Sequence, residues 1–338
     1  MKVSELGEFG LIAHLTEAIA RAGQPPSVVI GIGDDAAAWR ASGVQLVTTD
    51  TLVEGTHFSR QHWSWGDIGW NALAVNVSDI AAMGGIPEHA LLTLALPPET
   101  EVADVDELLA GMLEAGSEYA TAIVGGDIVG CDTMVVTVTV IGRTLVDEAG
   151  RPLLMTRSGA QAGDAIAVTG DLGDSAGGLR LLLEEKQCSP EAAAYLKRAH
   201  LRHRPPLTVG QAAAQQGVRA AIDISDGLFQ DLGHVCQASG VGAVVWADRV
   251  PISQALTETF PQDALALACG GGEDYQLLLA APPEIIERVQ KQADVPLTFI
   301  GEMVADRQRR VRLLDEGGRQ VMLARAGWDH LRRAPWRR

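Results

Sequence analysis

Residues 30–39 read IGIGDDAAAW, and this short stretch separates two classes of fold. Its two glycines and Ala36 match the G-x-G-x-x-G/A spacing of dinucleotide-binding loops. Asp34 and Asp35, however, fall where such a loop would cradle a pyrophosphate. Because two carboxylates repel a phosphate unless a cation lies between them, the stretch favours a metal-assisted phosphate site over a Rossmann dinucleotide site.

The size and composition of the chain bound what it can be. Its 338 residues, 47% of them hydrophobic, suffice for two domains with sizeable cores. No apolar run reaches the ~20 residues of a membrane span, and the N-terminus lacks the apolar stretch of a secretory signal, so we expect no membrane association. The four cysteines are far apart and form no C-x-x-C pair, which predicts reduced thiols and a cytoplasmic location.

The charge balance points away from nucleic acid and from one common kinase motif. A formal net charge of −16 lacks the basic footprint that nucleic-acid binding needs. None of the four lysines follows a glycine, so the sequence has no G-x-x-x-x-G-K-[ST] phosphate loop. Any phosphate chemistry must therefore rely on other positive groups.

The hydrophobic pattern alternates between helical and extended periods along the whole chain. In the first half it predicts helices over residues 5–22, 66–83 and 102–120, and strands over 28–30, 44–49, 90–96, 122–124 and 134–143. In the second half it predicts strands over 165–169, 220–224 and 297–301, and a helix over 283–293. A turn-rich stretch at 147–152 separates the halves, so we place the domain boundary at 148/149. Strands and helices intermix in both halves, which predicts an α/β or α+β fold.

Five short motifs carry aspartates flanked by small polar residues. They are GDD (Asp34, Asp35), TTD (Thr48, Thr49, Asp50), NVSD (Asp79), GGD (Gly126, Asp127) and DISD (Asp223, Ser225, Asp226). Four of the five follow a predicted strand directly, where open sheets bind ligands, and Asp79 lies on a predicted helix. A single aspartate in such a place is most often a helix cap or turn former. The whole set indicates oxygen ligands for hard cations such as Mg²⁺.

Other residues are weaker candidates, each with an ordinary structural explanation. Glu273 stands between a triple glycine and an apolar run, and the glycine-rich stretch 170–179 opens a helix whose backbone N–H groups could bind an anion. His57 follows the TTD motif, and the guanidinium of Arg157 matches phosphate oxygens. Trp328 offers an aromatic platform for a flat ligand.

Taken in order, the motifs resemble those of a known family. GIGDDAA, TTDTLVEGTHF, NVSDIAAMGG, GGD, TRSGA, GDLGDSAGGL, DISDGL, GGEDYQL and GWDH are similar to the motifs of thiamine-monophosphate kinases, over about residues 5 to 330. The wider superfamily is that of aminoimidazole ribonucleotide synthetase, called PurM-like. Each motif is weak alone, whereas nine in one order are specific.

This resemblance implies a fold, a reaction and an assembly. It implies a two-domain PurM-like fold, with residues 1–148 as the N-terminal ATP- and Mg²⁺-binding and dimerisation domain, and residues 149–338 as a C-terminal α/β domain contributing to the nucleotide, metal and substrate sites. It implies transfer of the ATP γ-phosphoryl group to thiamine monophosphate, and a homodimer paired through the N-terminal domains. Because the acceptor is already an ionised phosphate oxygen, we expect direct in-line transfer with several Mg²⁺ ions and no phosphoenzyme.

Site residues follow from the resemblance, motif by motif. The implied metal ligands are Asp35, Thr48, Thr49, Asp50, Asp79, Asp127, Asp223 and Asp226. The implied nucleotide contacts are Gly126, Asp127, Arg157 and Ser225, and the implied substrate contacts are His57, Glu273 and Trp328. The residues expected to act in catalysis are Asp35, Asp50, Asp79, Asp127, Asp226 and Arg157.

The sequence departs from the family motifs in two places, and two other functions are possible interpretations of the same motifs. The loop HLRHRPPL (residues 200–207) is only loosely like the proline-rich segment of the family and is assigned no role, and the C-terminus DHLRRAPWRR departs from the usual pattern. Another PurM-like ATP-dependent synthetase is one alternative, although no cysteine precedes Cys131 to serve selenide chemistry. The second alternative is a non-catalytic protein that binds a nucleotide or thiamine phosphate.

Overall fold

The computed structural model describes residues 1–32, 36–184, 186–323 and 327. Its helices are α1 Val3–Ala22, α2 Trp65–Ala82, α3 Val102–Glu118, α4 Asp174–Leu183, α5 Pro190–Leu201, α6 Leu207–Gln216, α7 Leu228–Ser239, α8 Gln254–Thr259, α9 Ala264–Gly270 and α10 Pro283–Gln290. Its strands are β1 Val28–Ile30, β2 Ala38–Trp39, β3 Gln45–Val53, β4 Gly85–Leu96, β5 Ala122–Gly130, β6 Val135–Val146, β7 Pro152–Leu153, β8 Ala165–Thr169, β9 Ala220–Ile224, β10 Gly242–Trp246, β11 Gln276–Ala281, β12 Leu297–Val304, β13 Val311–Leu314 and β14 Gln320–Val321.

The chain divides into two compact units. One comprises residues 1–80 and 85–152, and the other comprises residues 81–84 and 153–338. The division thus falls four residues after the position suggested by the sequence, and the short segment 81–84 joins the second unit. No helix within the described ranges is both long and apolar enough to cross a membrane.

The first unit is built on a sheet with the strand order β3-β6-β4-β5, to which β7 adds by pairing with β6. One face of this sheet is covered, as the burial pattern of β6 shows. Alternate residues of β6, among them Val136, Val138 and Val140, are fully buried, while most of the residues between them are half-buried. Helix α2 lies close to α3, because Gly69 allows the backbone of Leu108 to approach where a Cβ atom would lie 1.8 Å from the Leu108 carbonyl oxygen. This close packing holds α2, which carries Asp79.

The TTD and GGD motifs lie inside strands, which corrects the expectation that Asp50 and Asp127 follow the ends of strands. Thr48–Asp50 is the middle of β3, and Gly126–Asp127 is the middle of β5. These strands are the two ends of the order β3-β6-β4-β5. Glycine and aspartate are rare in the central strands of sheets. An edge strand pairs on one side only, so it tolerates these residues better.

The second unit is built on a seven-stranded sheet with the order β14-β13-β10-β12-β8-β11-β9. All neighbours are antiparallel except β10 and β13. Strands β8 and β9 are buried at every residue, and apolar clusters cover both faces: Ile222 and Ile224 belong to one cluster and Ala221 to the other. The mixed α/β class with two domains is confirmed.

Candidate functional site

In the first unit, two predicted ligands meet on the covered face of the sheet, and a third lies on the same face. Thr48 Oγ1 donates a hydrogen bond to Asp79 Oδ2 at 2.5 Å, which joins β3 to α2. Because side chains alternate along a strand, Asp50 lies on the same face of β3 as Thr48. Asp50 Oδ1 also accepts the backbone N–H of Thr51 at 2.6 Å, which fixes the direction of its carboxylate.

The side chain of Thr49 lies on the opposite, open face. It donates to the carbonyl oxygen of Val138 at 3.2 Å and accepts from Thr139 Oγ1 at 3.0 Å. The structure therefore separates Thr49 Oγ1 from the group formed by Thr48, Asp50 and Asp79. Its role as a metal ligand stays a prediction.

The GGD motif occupies the other edge of the same sheet. At Gly126 a Cβ atom would lie 1.9 Å from the carbonyl oxygen of Leu92, so β5 can pair with β4 at this point only through glycine. Asp127 is exposed, lies opposite Thr93 in the register, and accepts the N–H of Ile128 at 2.9 Å. Thr93 and its partner Thr137 lie on the open face, so Asp127 is on the opposite face of the sheet from Thr48 and Asp50, and two strands separate β5 from β3, a backbone distance of roughly 14 Å.

His57 is held in the turn that follows β3. Its Nδ1 accepts the backbone N–H of Val53 at 3.0 Å, so the neutral imidazole carries its proton on Nε2. The turn itself is closed by the bond from Gly55 N–H to the Phe58 carbonyl at 2.8 Å. The ring is thereby oriented by the backbone, as a substrate contact requires.

Two predicted site residues, Asp35 and Trp328, lie outside the described residues. The strands β1 and β2 on either side of the GDD motif pair antiparallel. Gly327, which is described, lies against Gln230 of α7 and the turn before it: a Cβ atom there would be 2.5 Å from Gln230 Cβ and 2.9 Å from the carbonyl oxygen of Asp226.

In the second unit, the DISD motif forms a turn organised by a carboxylate that the sequence analysis missed. Asp223 is buried at the end of β9, and Ser225 and Asp226 follow it in the turn before α7. Asp231 Oδ2 accepts three backbone N–H groups: Ser225 at 3.1 Å, Asp226 at 3.1 Å and Gly227 at 3.0 Å. An acidic residue in the first turn of the helix after a small-residue turn is the signal that could have revealed it.

The electrostatics of this turn fit a cation. Burial, and then the charges of Asp223 and Asp226, raise the pKa of Asp231 to about 7. Ligand atoms of Asp226, Asp231 and His234 lie within 4.8 Å of one another. Carboxylates gathered this closely repel one another unless a positive ion or a proton is present, which is the condition under which oxygen ligands bind Mg²⁺.

The GGEDYQL motif packs directly against this turn, although Glu273 and Ser225, whose backbones are hydrogen-bonded, lie 48 positions apart in the chain. The N–H of Glu273 donates to the carbonyl oxygen of Ser225 at 2.7 Å. Gly272, at φ +73°, allows that approach, since a Cβ atom there would lie 2.9 Å from the same oxygen. The structure therefore brings Glu273 beside Ser225 and Asp226.

The glycine-rich start of α4 does not offer an open anion site, contrary to the expectation. Both carboxyl oxygens of Asp274 accept the N–H of Gly173 at 2.9 Å, so an acidic side chain of the chain itself fills this end of α4. Burial raises the pKa of Asp274 well above its usual value. The adjacent Asp174, whose pKa burial raises to about 6, accepts a hydrogen bond from Ser253 Oγ.

Arg157 lies at the opposite end of β9 from the DISD turn. Its neighbour Thr156 bridges Ala220, the first residue of β9, whereas Ser225 and Asp226 follow the last. The side chain of Arg157 is exposed, and its carbonyl oxygen accepts a hydrogen bond from Ser239 Oγ at 2.9 Å. The second unit therefore does not place Arg157 beside Ser225.

Comparisons with known proteins agree with this two-unit layout. The family model "AIR synthase related protein, N-terminal domain" matches residues 33–144, and "AIR synthase related protein, C-terminal domain" matches residues 161–313. A thiamine-monophosphate kinase of Bacillus subtilis is 37% identical over 335 residues, covering 97% of this chain and 100% of the relative.

Solved structures resemble both units as well. A thiamine-monophosphate kinase from Stenotrophomonas maltophilia matches with a TM-score of 0.80 and 35% identity, covering 88% of this chain and 95% of that one. A structure described as AaThiL complexed with AMPPCP and TMP matches with a TM-score of 0.74 and 35% identity, covering 97% and 98%. The two-domain PurM-like fold expected from the motifs is thereby confirmed.

Proposed function

The chain belongs to the thiamine-monophosphate kinase family, and from this premise we propose how it uses ATP to phosphorylate thiamine monophosphate to thiamine diphosphate. The observation that carries most weight is the turn at residues 225–227, where a buried carboxylate orients the backbone that bears Ser225 and Asp226. Glu273 is fixed against the same turn. Site residues from two distant motifs are thus held by the fold in one place.

We assign the magnesium ligands by unit. In the first unit they are Thr48, Asp50, Asp79 and Asp127, and in the second they are Asp223 and Asp226; Asp35 and Thr49 stay predicted ligands. Oxygen donors of these types suit Mg²⁺, and the crowded carboxylates at Asp231 support a bound cation. Bound Mg²⁺ would neutralise phosphate charge, which the few lysines of this chain cannot do.

The remaining roles are those that the family motifs imply. We assign Gly126, Asp127 and Ser225 to the nucleotide, and His57 and Glu273 to thiamine monophosphate. Arg157, at the opposite end of β9 from Ser225, stays a predicted nucleotide contact, and Trp328, outside the described residues, stays a predicted substrate contact. At Gly126 the strand carries no side chain, and it borders an apolar pocket lined by Ile12, Leu15 and Ile19 of α1, which supports close approach of a nucleotide.

The reaction needs little proton transfer from the protein. The acceptor oxygen of a phosphate monoester is largely ionised at neutral pH, so no side chain must remove its proton. The protein then has to hold the two reactants in line, and His57 and Glu273, whose segments are held by backbone hydrogen bonds, would help to place thiamine monophosphate for the transfer. Direct transfer without a phosphoenzyme is therefore the proposed course, and a cytoplasmic location stays a prediction.

A conversion assay tests the proposed function. Purified protein with ATP and Mg²⁺ is offered either thiamine or thiamine monophosphate, and we expect thiamine diphosphate from the monophosphate alone. Intact mass after incubation with ATP only should remain that of the unmodified chain. No product from either acceptor would favour the binding-protein or synthetase alternatives, and a trapped phosphorylated side chain would contradict direct transfer.

We also propose that the open face of the first sheet pairs two copies of the chain. Val47 on β3 is 72% exposed and Val129 on β5 is 45% exposed, and both lie on this face with the hydroxyls of Thr51 and Thr137. Exposed valines on an open sheet face are typical of an interaction surface.

The dimer proposal predicts a molar mass in solution of twice 35.7 kDa by sedimentation equilibrium. Val47→Glu should shift the protein toward the monomer, because it buries an unpaired charge in the interface. Val146→Glu is the matched control, since Val146 is also exposed (53%) but lies on the covered side by its position in β6. A monomeric parent protein would contradict the proposal.

A further inference from the structure

The segment that carries Glu273 has an unusual backbone. Glu273 has φ +59° and Tyr275 has φ +49°, so two residues with side chains adopt the left-handed conformation within three positions. Such strain persists only where the surroundings hold it, and it concentrates at functional sites. On one side the segment is held by the last residue of β9 and the turn after it, through the bonds from Tyr275 N–H to Ile224 O at 2.8 Å and from Glu273 N–H to Ser225 O at 2.7 Å.

The loop after α5 holds the other side of the segment. His200, in the last turn of α5, is 1% exposed, and its Nδ1 lies 3.1 Å from Ser175 Oγ and 3.6 Å from Glu273 Oε2. The ring of His203 packs at 4.6 Å, centroid to centroid, against that of Tyr275. The HLRHRPPL segment, for which the sequence analysis predicted no role, therefore contacts both left-handed residues of this segment, Glu273 and Tyr275.

The contact between His200 and Glu273 is not an ion pair at neutral pH. Burial lowers the pKa of His200 to about 4 and that of His203 to about 3, so both rings are neutral. An ionised carboxylate can only accept, so it favours the tautomer of His200 with the proton on Nδ1. In this tautomer the N–H lies near two oxygens, with Nδ1 3.1 Å from Ser175 Oγ and 3.6 Å from Glu273 Oε2, so its attraction for the carboxylate is a polar contact rather than a full hydrogen bond.

We propose that His200 is a positioning residue that sets the Glu273 carboxylate in place for thiamine monophosphate. Glu273 is the group that can reach the substrate, since its side chain is 35% exposed while that of His200 is 1% exposed. His203 supports the same segment through Tyr275. This inference rests on the proposed function only in taking Glu273 as a substrate contact.

The variants His200→Asn and His200→Gln carry the same carboxamide group at different reach, so they test whether an N–H is needed at the position of His200 Nδ1. The amide nitrogen of Asn can take the place of Nδ1, whereas Gln reaches further and cannot. We expect His200→Gln and His200→Leu to raise KM for thiamine monophosphate by about tenfold, with kcat and KM for ATP changed by no more than about threefold. His200→Asn should stay within about threefold of the parent in all three constants. Arg198→Ala, exposed on the same helix, is the control and should match the parent.

A double-mutant cycle identifies the route of the effect. If His200 acts through Glu273, the variant His200→Gln/Glu273→Ala should have the same KM as Glu273→Ala alone. Additive effects would overturn the proposal, and so would a His200→Asn variant as impaired as His200→Gln.

Hydrogen exchange in the absence of substrate tests the role of His200 independently of the proposed kinase activity. In the ligand-free protein, hydrogen exchange of residues 270–276 should be faster in His200→Gln than in the parent, and close to the parent in His200→Asn. Equal exchange in all three proteins would overturn the proposal, even if the parent is an active kinase. A parent that forms no thiamine diphosphate but shows the expected exchange pattern would contradict the proposed function and leave His200 as the residue that holds Glu273.

Discussion

Asp226→Asn is expected to lower kcat for thiamine diphosphate formation by about a thousandfold or more, because the carboxamide keeps the shape of the side chain and loses the charge that would hold magnesium. The fold should persist. Asp226 Oδ2 accepts a hydrogen bond from Gln230 Nε2 at 2.9 Å, and the oxygen of the Asn carboxamide can accept the same bond.

The unfolding temperature of Asp226→Asn shows whether the variant has lost a metal ligand or its folded structure. Asp226 contributes to the raised pKa of Asp231, so removing its charge relieves repulsion in the turn. The unfolding temperature without magnesium should therefore be equal to or above that of the parent, while the Mg²⁺ concentration for half-maximal activity should rise. Asp248→Asn, an exposed carboxylate in the short 3₁₀ helix Ala247–Arg249, is the matched control. A kcat within tenfold of the parent, with the parental Mg²⁺ dependence, would remove Asp226 from the ligand set.

Asp231→Leu is expected to lower both stability and activity. The substitution leaves the N–H groups of Ser225, Asp226 and Gly227 without the oxygen that accepts them. An unsatisfied buried N–H, as at Gly227, costs about 1–3 kcal/mol, and the half-buried N–H groups of Ser225 and Asp226 add less, so the free energy of unfolding should fall by about 2 kcal/mol or more. We expect kcat to fall by about a hundredfold, since the turn that orients Asp226 loses its support.

Asp231→Asn tests whether the turn needs the negative charge of Asp231 or only an oxygen that accepts hydrogen bonds. Its carboxamide oxygen can still accept the three N–H groups, so kcat should remain within about tenfold of the parent and unfolding by urea should resemble that of the parent. If Asp231→Leu is destabilised but keeps the parental kcat, the carboxylate supports the fold and not the site. If Asn and Leu behave alike in both measurements, the hydrogen bonds to the turn are not the cause.

Local patterning predicted most elements of the fold. Strands β8 and β9 coincide with the predicted ranges, because β-branched and other apolar residues fill them and turn residues bound them. Helices α2 and α3 begin within one residue of their predicted starts. Strand β4, however, begins at Gly85, five residues before the predicted start, because pairing with β6 extends it through glycine and proline. Such pairing is a tertiary effect that residue preferences do not contain.

The candidate site was predicted less completely than the fold. The aspartate motifs were visible in the sequence, but not that β3 and β5 run through TTD and GGD as opposite edges of one sheet. Asp231 was missed because an aspartate in the first turn of a helix is common, and only the three N–H bonds distinguish it. The roles of the site residues remain predictions for the experiments above.

The sequence by itself determined the order of elements, the family and the chemical type of the ligands, because these depend on residue identity and spacing. The tertiary structure decided which of those groups meet. Whether Thr48 faces Asp79 depends on the alternation of β3 and the packing of α2, and whether Glu273 meets Ser225 depends on a glycine backbone at positive φ. Such contacts join residues distant in the chain, so they depend on register and close approach, which no local pattern encodes.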